Sequence, residues 1–212
     1  MKGAMVIAPS RNLIDPASPL VADASAVISL IASGAARKIA EALPVRLRIV
    51  TAVAYELEKG RQRGWATSDH LSSLITDGLV DVVELSDDAG DHFEALVVGS
   101  AADTLDDGEA ATIAYAHVHG ATALIDERKG LRICTRRFPG LRVATTVDLL
   151  TSSLVKGVLG VTHAADATFG ALKDGRMRVL PEDIERVIEM IGAARASLCS
   201  SLPARVRRAC LG

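Results

Sequence analysis

Apolar residues recur along this chain in two alternating rhythms. The short runs "LVAD" at 20–23, "RLRIV" at 46–50, "LVDVVEL" at 79–85, "ATALID" at 121–126 and "LRVAT" at 141–145 have the length and flanks of buried strands. Between them lie segments with apolar residues three or four positions apart, which predict helices. One starts near Ser25, and one covers 52–59, with Thr51 as its N-cap and Gly60 closing it. A polar helix covers about 88–99, and a long one runs to about His119.

Alternation of strand and helix predicts an α/β fold with a parallel sheet. Beyond the fifth strand the chain reads as helical. "KGVLGV" at 156–161 is a turn, 163–173 a helix, and "PEDIERVIEMIGAARASL" at 181–198 one helix with Pro181 in its first position. Residues 1–19 carry Pro9, Pro16 and Pro19 without periodicity and predict a flexible, loosely ordered arm. Residues 196–212 end in "PARVRRACLG" and predict a basic, frayed tail.

With 212 residues, 49% of them hydrophobic, the chain can bury one sizeable core, and its length favours a single domain. The 24 basic and 26 acidic residues give a formal charge of −2, so no overall positive field advertises a nucleic-acid partner. Such a partner requires a local basic patch or bound cations. Cys134, Cys199 and Cys210 are odd in number and lack a CxxC pair, which argues against a disulfide framework or zinc site and fits a reducing cytoplasm. The apolar run before Pro9 is too short for a secretory signal, and no stretch of about 18 apolar residues could span a bilayer. A soluble, cytoplasmic protein without a membrane partner is expected.

Carboxylates on apolar elements change this picture. Asp23 and Asp126 each end an apolar strand, and parallel sheets bind ligands at the carboxyl ends of their strands. Asp23 also stands where an N-cap would. Glu127 points away from Asp126 on extended backbone, so Asp126 is the one expected in the crevice. Glu56 shares a helix face with Ala52, Val53 and Leu57, either as a carboxylate facing a cation or as a side chain snorkelling at the core edge. In "TLDDGEAATIAYA", Asp106 followed by Glu109 has the form of a capping box, and Glu109 would lie at the same sheet edge as the strand-end acids. Were Asp23, Glu56, Glu109 and Asp126 to converge, they could not all stay ionised without the charge that Mg²⁺ or Mn²⁺ supplies.

Four segments, in this order, resemble the motifs of PIN-domain nucleases: "VADASAVISLIASG" with Asp23 and Ser25, "VTAVAYELEKG" with Glu56, "LDDGEAATIAYAHVHGA" with Glu109, and "ALIDERKGLRI" with Asp126. The likeness covers about residues 20–190, and the "LDxGEA" and "IDERKG" phrasing is similar to a prokaryotic branch related to VapC-like toxins of toxin–antitoxin pairs. It implies a three-layer α/β/α sandwich with a parallel central sheet. Residues 20–160 would form the nuclease domain, and helices in 161–195 would pack on it or extend it. The resemblance further implies an endoribonuclease using one or two Mg²⁺ or Mn²⁺ ions, with Asp23, Glu56, Glu109 and Asp126 as metal-binding and catalytic acids. Ser25 would support the first acid, and Asp107 and Glu127 are placed to contribute. The implied partners are RNA, a small antitoxin protein and a second copy of the chain as a homodimer.

An acidic crevice repels RNA, so flanking phosphates need cations. Arg128, Lys129, Arg132, Arg136, Arg137 and Arg142 form the densest basic run and begin beside Asp126. That run reads as a phosphate-binding strip or as a solvated helix face. Aromatic residues are only 3%, so Tyr55 and Trp65 are expected to pack rather than to stack on bases. His117 and His119 point to different sides of a helix, and His70, His92 and His163 are isolated, so no histidine is expected to hold a metal. Two other readings stand beside the nuclease: a catalytically silent PIN-like module binding RNA or protein, and a haloacid-dehalogenase-like hydrolase. The second would want another Asp where Ser25 stands, and no GxxxxGK[ST] phosphate loop is present.

Overall fold

The computed structural model describes residues 18–61 and 67–211. The expected N-terminal arm, apart from Ser18 and Pro19, and Trp65 lie outside the described residues. Five strands, all parallel, form one sheet: β1 (Leu20–Ala22), β2 (Leu47–Val50), β3 (Val80–Val83), β4 (Thr122–Leu124) and β5 (Arg142–Ala144). Each falls inside an apolar run of the sequence. Their order is β3-β2-β1-β4-β5, so the chain winds outward from β1 through β2 and β3, then returns to the far side of β1 for β4 and β5. Winding reverses between β1 and β4, which pair with Leu20 opposite Thr122 and Ala22 opposite Leu124. Such a reversal opens a crevice at the strands' carboxyl ends.

Side-chain alternation builds the layers. Leu20 and Ala22 of β1, Leu47 and Ile49 of β2 and Leu124 of β4 enter one core; Val21, Val50 and Ala123 enter a second core on the opposite face. Helices α1 (Ala24–Ala32) and α2 (Ala36–Ala42) lead from β1 to β2, and α3 (Thr51–Arg61) and α4 (Thr67–Thr76) lead towards β3. Helices α5 (Asp87–Val97) and α6 (Asp107–Val118) carry the chain back across the sheet, and α7 (Arg128–Arg137) precedes β5. The first core takes Val27, Leu30, Ile39 and Leu71 from α1, α2 and α4; the second takes Leu96, Ile113 and Ile133 from α5, α6 and α7. The result is a three-layer α/β/α sandwich. Helix α6 is its innermost helix, buried continuously from Gly108 to Ala116, which its small alanines permit.

After β5 come α8 (Thr146–Leu150), α9 (Ser153–Leu159), α10 (Val161–Lys173), a 3-10 turn Pro181–Asp183, α11 (Ile184–Ile191), α12 (Ala193–Ser197) and α13 (Ala204–Ala209). From these helices Ala164, Ala171, Leu172 and Val187, and from the segments between them Met177 and Cys199, join the first core.

The structure corrects several local readings. The expected turn at 156–161 is mostly helix: α9 runs to Leu159, and Gly160 alone, at φ 76°, redirects the chain into α10. The single helix expected over 181–198 is broken at Gly192, at φ 84°, into α11 and α12, behind the 3-10 turn at Pro181. Residues 204–209, expected to fray, form α13. Gly60 lies buried inside α3 and does not end it. The capping box at α6 is absent: Asp106 occupies the N-cap without a side-chain bond, because Glu109 turns inward instead. No helix among the described residues is long and apolar enough to cross a membrane.

Candidate functional site

Asp23 follows β1 directly and caps α1, its Oδ1 accepting the Ala26 N–H at 2.7 Å. Ser25 Oγ donates to both carboxylate oxygens, at 3.1 and 3.0 Å. Cap and crevice acid are thus one geometry, because capping pins the carboxylate at the carboxyl end of β1. Asp126 occupies the equivalent place beyond β4, buried. Its Oδ1 accepts the Thr146 N–H and its Oδ2 the Thr146 Oγ–H, both at 2.7 Å. Thr146 is fixed in turn by the capping box of α8, in which Thr145 and Asp148 bond reciprocally.

Glu109, in the first turn of α6, is buried, and its Oε1 has no hydrogen-bond partner. Helix α7 approaches so closely that a Cβ built on Gly130 would collide with that oxygen. Glu56 takes the second of its two expected settings, at the edge of the core. Val53 and Leu57 form the inner stripe of α3, whereas Glu56 is exposed on its flank, and its Oε2 would lie 2.7 Å from a Cβ on Gly108. A carboxylate at the rim over the start of α6 keeps access to water that a core position would deny it.

Electrostatics tie these residues together. Burial pushes Asp23 up to about 7, with Asp126 and then Glu56 adding to it against the Ala26 and Ser25 hydrogen bonds. Glu109 is pushed up to about 8 by burial, then by Asp23, Glu127 and Asp106, with Lys129 opposing. Asp126 rises to about 6 through burial, held down by both Thr146 bonds. Glu56 is raised by desolvation and by the exposed Asp106 and Asp107, against Lys59. Glu127 is half-buried and bound by Arg178 at 2.6 Å.

Asp126, Glu56 and Glu109 thus each interact with Asp23, while Glu127 adds to Glu109 and Asp107 to Glu56 from the margin. Among the described residues no three His, Cys, Asp or Glu side chains close into a ready coordination cage. The donor set nonetheless fits a hard divalent cation. It offers only carboxylate oxygens, holds protons more tightly than free carboxylates do, and includes one buried oxygen without a partner.

Most of the expected phosphate-binding cations are engaged elsewhere. Lys129 Nζ donates to Ala101 O at 2.7 Å, Arg132 to Ala102 O at 3.0 Å, Arg136 to Asp103 at 2.7 Å and Arg137 to Ala95 O at 2.8 Å. They strap α7 to α5 and to the loop before α6. Arg142 reaches back to Ser18 and Gly120, and Arg128 is exposed at the start of α7. Two further expectations are corrected. Tyr55 does not pack; it is 63% exposed. His92 is not isolated, its ring lying 4.8 Å from that of His117 against Phe138. His119 stacks on Tyr115, away from His117.

Sequence reasoning missed Thr146, Gly130 and Arg178. Thr145 and Asp148, three apart before an apolar segment, carried a readable capping signal that would have brought Thr146 to the end of β5. Nothing in the sequence marks Arg178.

A family model described as a PIN domain matches residues 19–193, a span holding the whole sheet, every acid above and Arg178. No curated protein matches the chain, and no solved structure matches it either.

Proposed function

Because the chain belongs to the PIN-domain family, whose members are typically metal-dependent nucleases, we propose that it is an endoribonuclease hydrolysing RNA phosphodiester bonds with Mg²⁺ or Mn²⁺. The observation that carries this reading is the burial of Asp23, Glu109 and Asp126, three carboxylates brought together from separate elements, with the Oε1 of Glu109 left unpartnered. Asp23, Glu56, Glu109 and Asp126 would hold one or two ions. Such an ion, when bound, supplies a water of lowered pKa and positive charge against the reacting phosphate.

The chain's own residues supply position and field. Ser25 and the Ala26 N–H fix the Asp23 carboxylate, and Thr146 fixes that of Asp126, so neither acid must be ordered when a ligand arrives. Glu56 and Asp107, at the rim, extend the negative field towards solvent, and Glu127 screens Arg178. Arg128 stands exposed beside the fourth acid and is suited to take a phosphate flanking the scissile bond, and Arg178 joins it on leaving Glu127. Lys129, Arg132, Arg136 and Arg137 can join them only by exchanging their present acceptors. The likeness to the toxin-related branch extends the reading to a cytoplasmic homodimer restrained by an antitoxin, and a light-scattering mass of one chain at micromolar concentration would contradict the dimer.

The test is Mn²⁺ titration by calorimetry, then cleavage of structured RNAs by wild type and Asp23→Asn. Wild type should bind the ion and cut, lose cutting in EDTA, and lose both with Asp23→Asn. Wild-type protein that binds Mn²⁺ no better than Asp23→Asn and leaves RNA intact would refute the proposal.

A further inference from the structure

Of the Phe and Tyr side chains described, Tyr115 and Phe138 are buried, Phe93 and Phe169 half-buried, and Tyr55 is 63% exposed. The core makes little use of this ring, and its setting points to another use. Tyr55 precedes Glu56 on α3, the helix that leaves the carboxyl end of β2, the same sheet edge as the acids. Lys59, one turn further, places Nζ 4.2 Å from the ring centroid, and its charge reaches the Glu56 carboxylate. The cation sits over the ring, and the residue is mostly exposed to solvent, so a flat partner can reach and stack on the ring.

We propose that Tyr55 and Lys59 form a nucleotide subsite for single-stranded RNA. An unpaired base stacks on the open face of Tyr55, and Lys59 takes the adjoining phosphate, so the strand is led past Glu56 into the crevice. The proposal rests on the nuclease reading and deepens it, because stacking needs a splayed base and thereby selects single strands over duplex. The platform reads no base edge, so it fixes strandedness and leaves base identity open.

The experiment is fluorescence anisotropy of a labelled single-stranded RNA octamer and its blunt duplex on the full chain in EDTA, where metal-dependent cleavage is off. Wild type, Tyr55→Ala, Tyr55→Phe and Lys59→Met are compared, with circular dichroism and thermal melts confirming an unchanged fold at these exposed sites. Tyr55→Ala should weaken single-strand binding about 5- to 150-fold, the equivalent of about 1–3 kcal/mol for one stacked base, and leave the duplex unaffected. Tyr55→Phe should keep the affinity within about twofold, and Lys59→Met should lower the salt slope by about 0.7. Tyr55→Ala binding the octamer as wild type does, in a protein that still cuts RNA with Mn²⁺, overturns the subsite and leaves the nuclease reading standing. Wild type that neither binds the octamer nor cuts overturns both.

Discussion

Asp23, Glu109 and Asp126 keep their protons up to about 7, 8 and 6 chiefly because burial disfavours their charge. Unfolding returns them to ordinary values of 3.8, 4.5 and 3.8, so across this window the folded chain binds more protons than the unfolded one. Through these acids stability falls as pH rises from about 4 to about 8, while His117, lowered by burial and by His92, acts in the opposite sense. Asp77 and Asp103, held low by exposed arginine pairs, act only below it. In EDTA the melting temperature should decline over this range. Mn²⁺, which favours the ionised acids, should flatten the decline, and Glu109→Gln should stabilise metal-free protein at pH 8 by on the order of 1–3 kcal/mol. A melting temperature that climbs steadily with pH in EDTA would contradict this account. Thr146 acts on the same cluster through Asp126. Thr146→Val removes the hydroxyl donor 2.7 Å from Oδ2 and should lower calorimetric Mn²⁺ affinity about tenfold, with Thr146→Ser restoring it.

The meeting of α6 and α7 depends on a missing side chain. Gly130→Ala adds a Cβ where Glu109 Oε1 lies, with Ile125 at 3.0 Å on the other side. Alanine suits a helix interior better than glycine, so helix content should hold while Glu109 is forced aside. Mn²⁺ affinity should drop at least tenfold, and stability should fall by about 1–3 kcal/mol; unchanged affinity would mean that Glu109 lies elsewhere in the metal-bound state. Elements of this kind were legible in part. All five strands were readable because short apolar runs between polar segments have few other uses in a chain of this length. Asp23 and Asp126 were readable because a charge ending such a run must face either water or a ligand. The close approach at Gly130 was not, since glycine in a helical stretch looks alike whether it relieves a contact or merely tolerates a turn. Tyr55 was misplaced, and Glu56 left between two settings, because helical periodicity defines an apolar stripe but leaves its flanks ambiguous by one residue either way.

Across the molecule, the sheet's two faces are completed by unequal means. Helices α10 to α12 supply Ala164, Ala167, Leu172, Val187 and Ala196, and the segment after α10 supplies Met177, to the core that also holds Leu20 and Val27. Gly170 lets α10 press against α1, a Cβ there falling 2.8 Å from Ala32 O. Arg186 of α11 bonds Asp148, the residue that caps Thr145, at 2.7 Å. A chain ending at residue 160 should therefore lose cooperative melting and bind apolar dyes; a sharp transition within a few degrees of full length would show that this layer is dispensable. None of this was visible from periodicity, which assigns helices without saying which sheet face they cover. The pairing of β1 with β4 sets an order on biosynthesis. A ribosome has made Asp23, Glu56 and Glu109 long before Asp126 and Thr146 clear its exit tunnel, and the first strand waits, half-paired, for the fourth. Every nascent fragment shorter than that lacks one wall of the acidic crevice, whose closing side comes from Asp126 and the Thr146 that holds it.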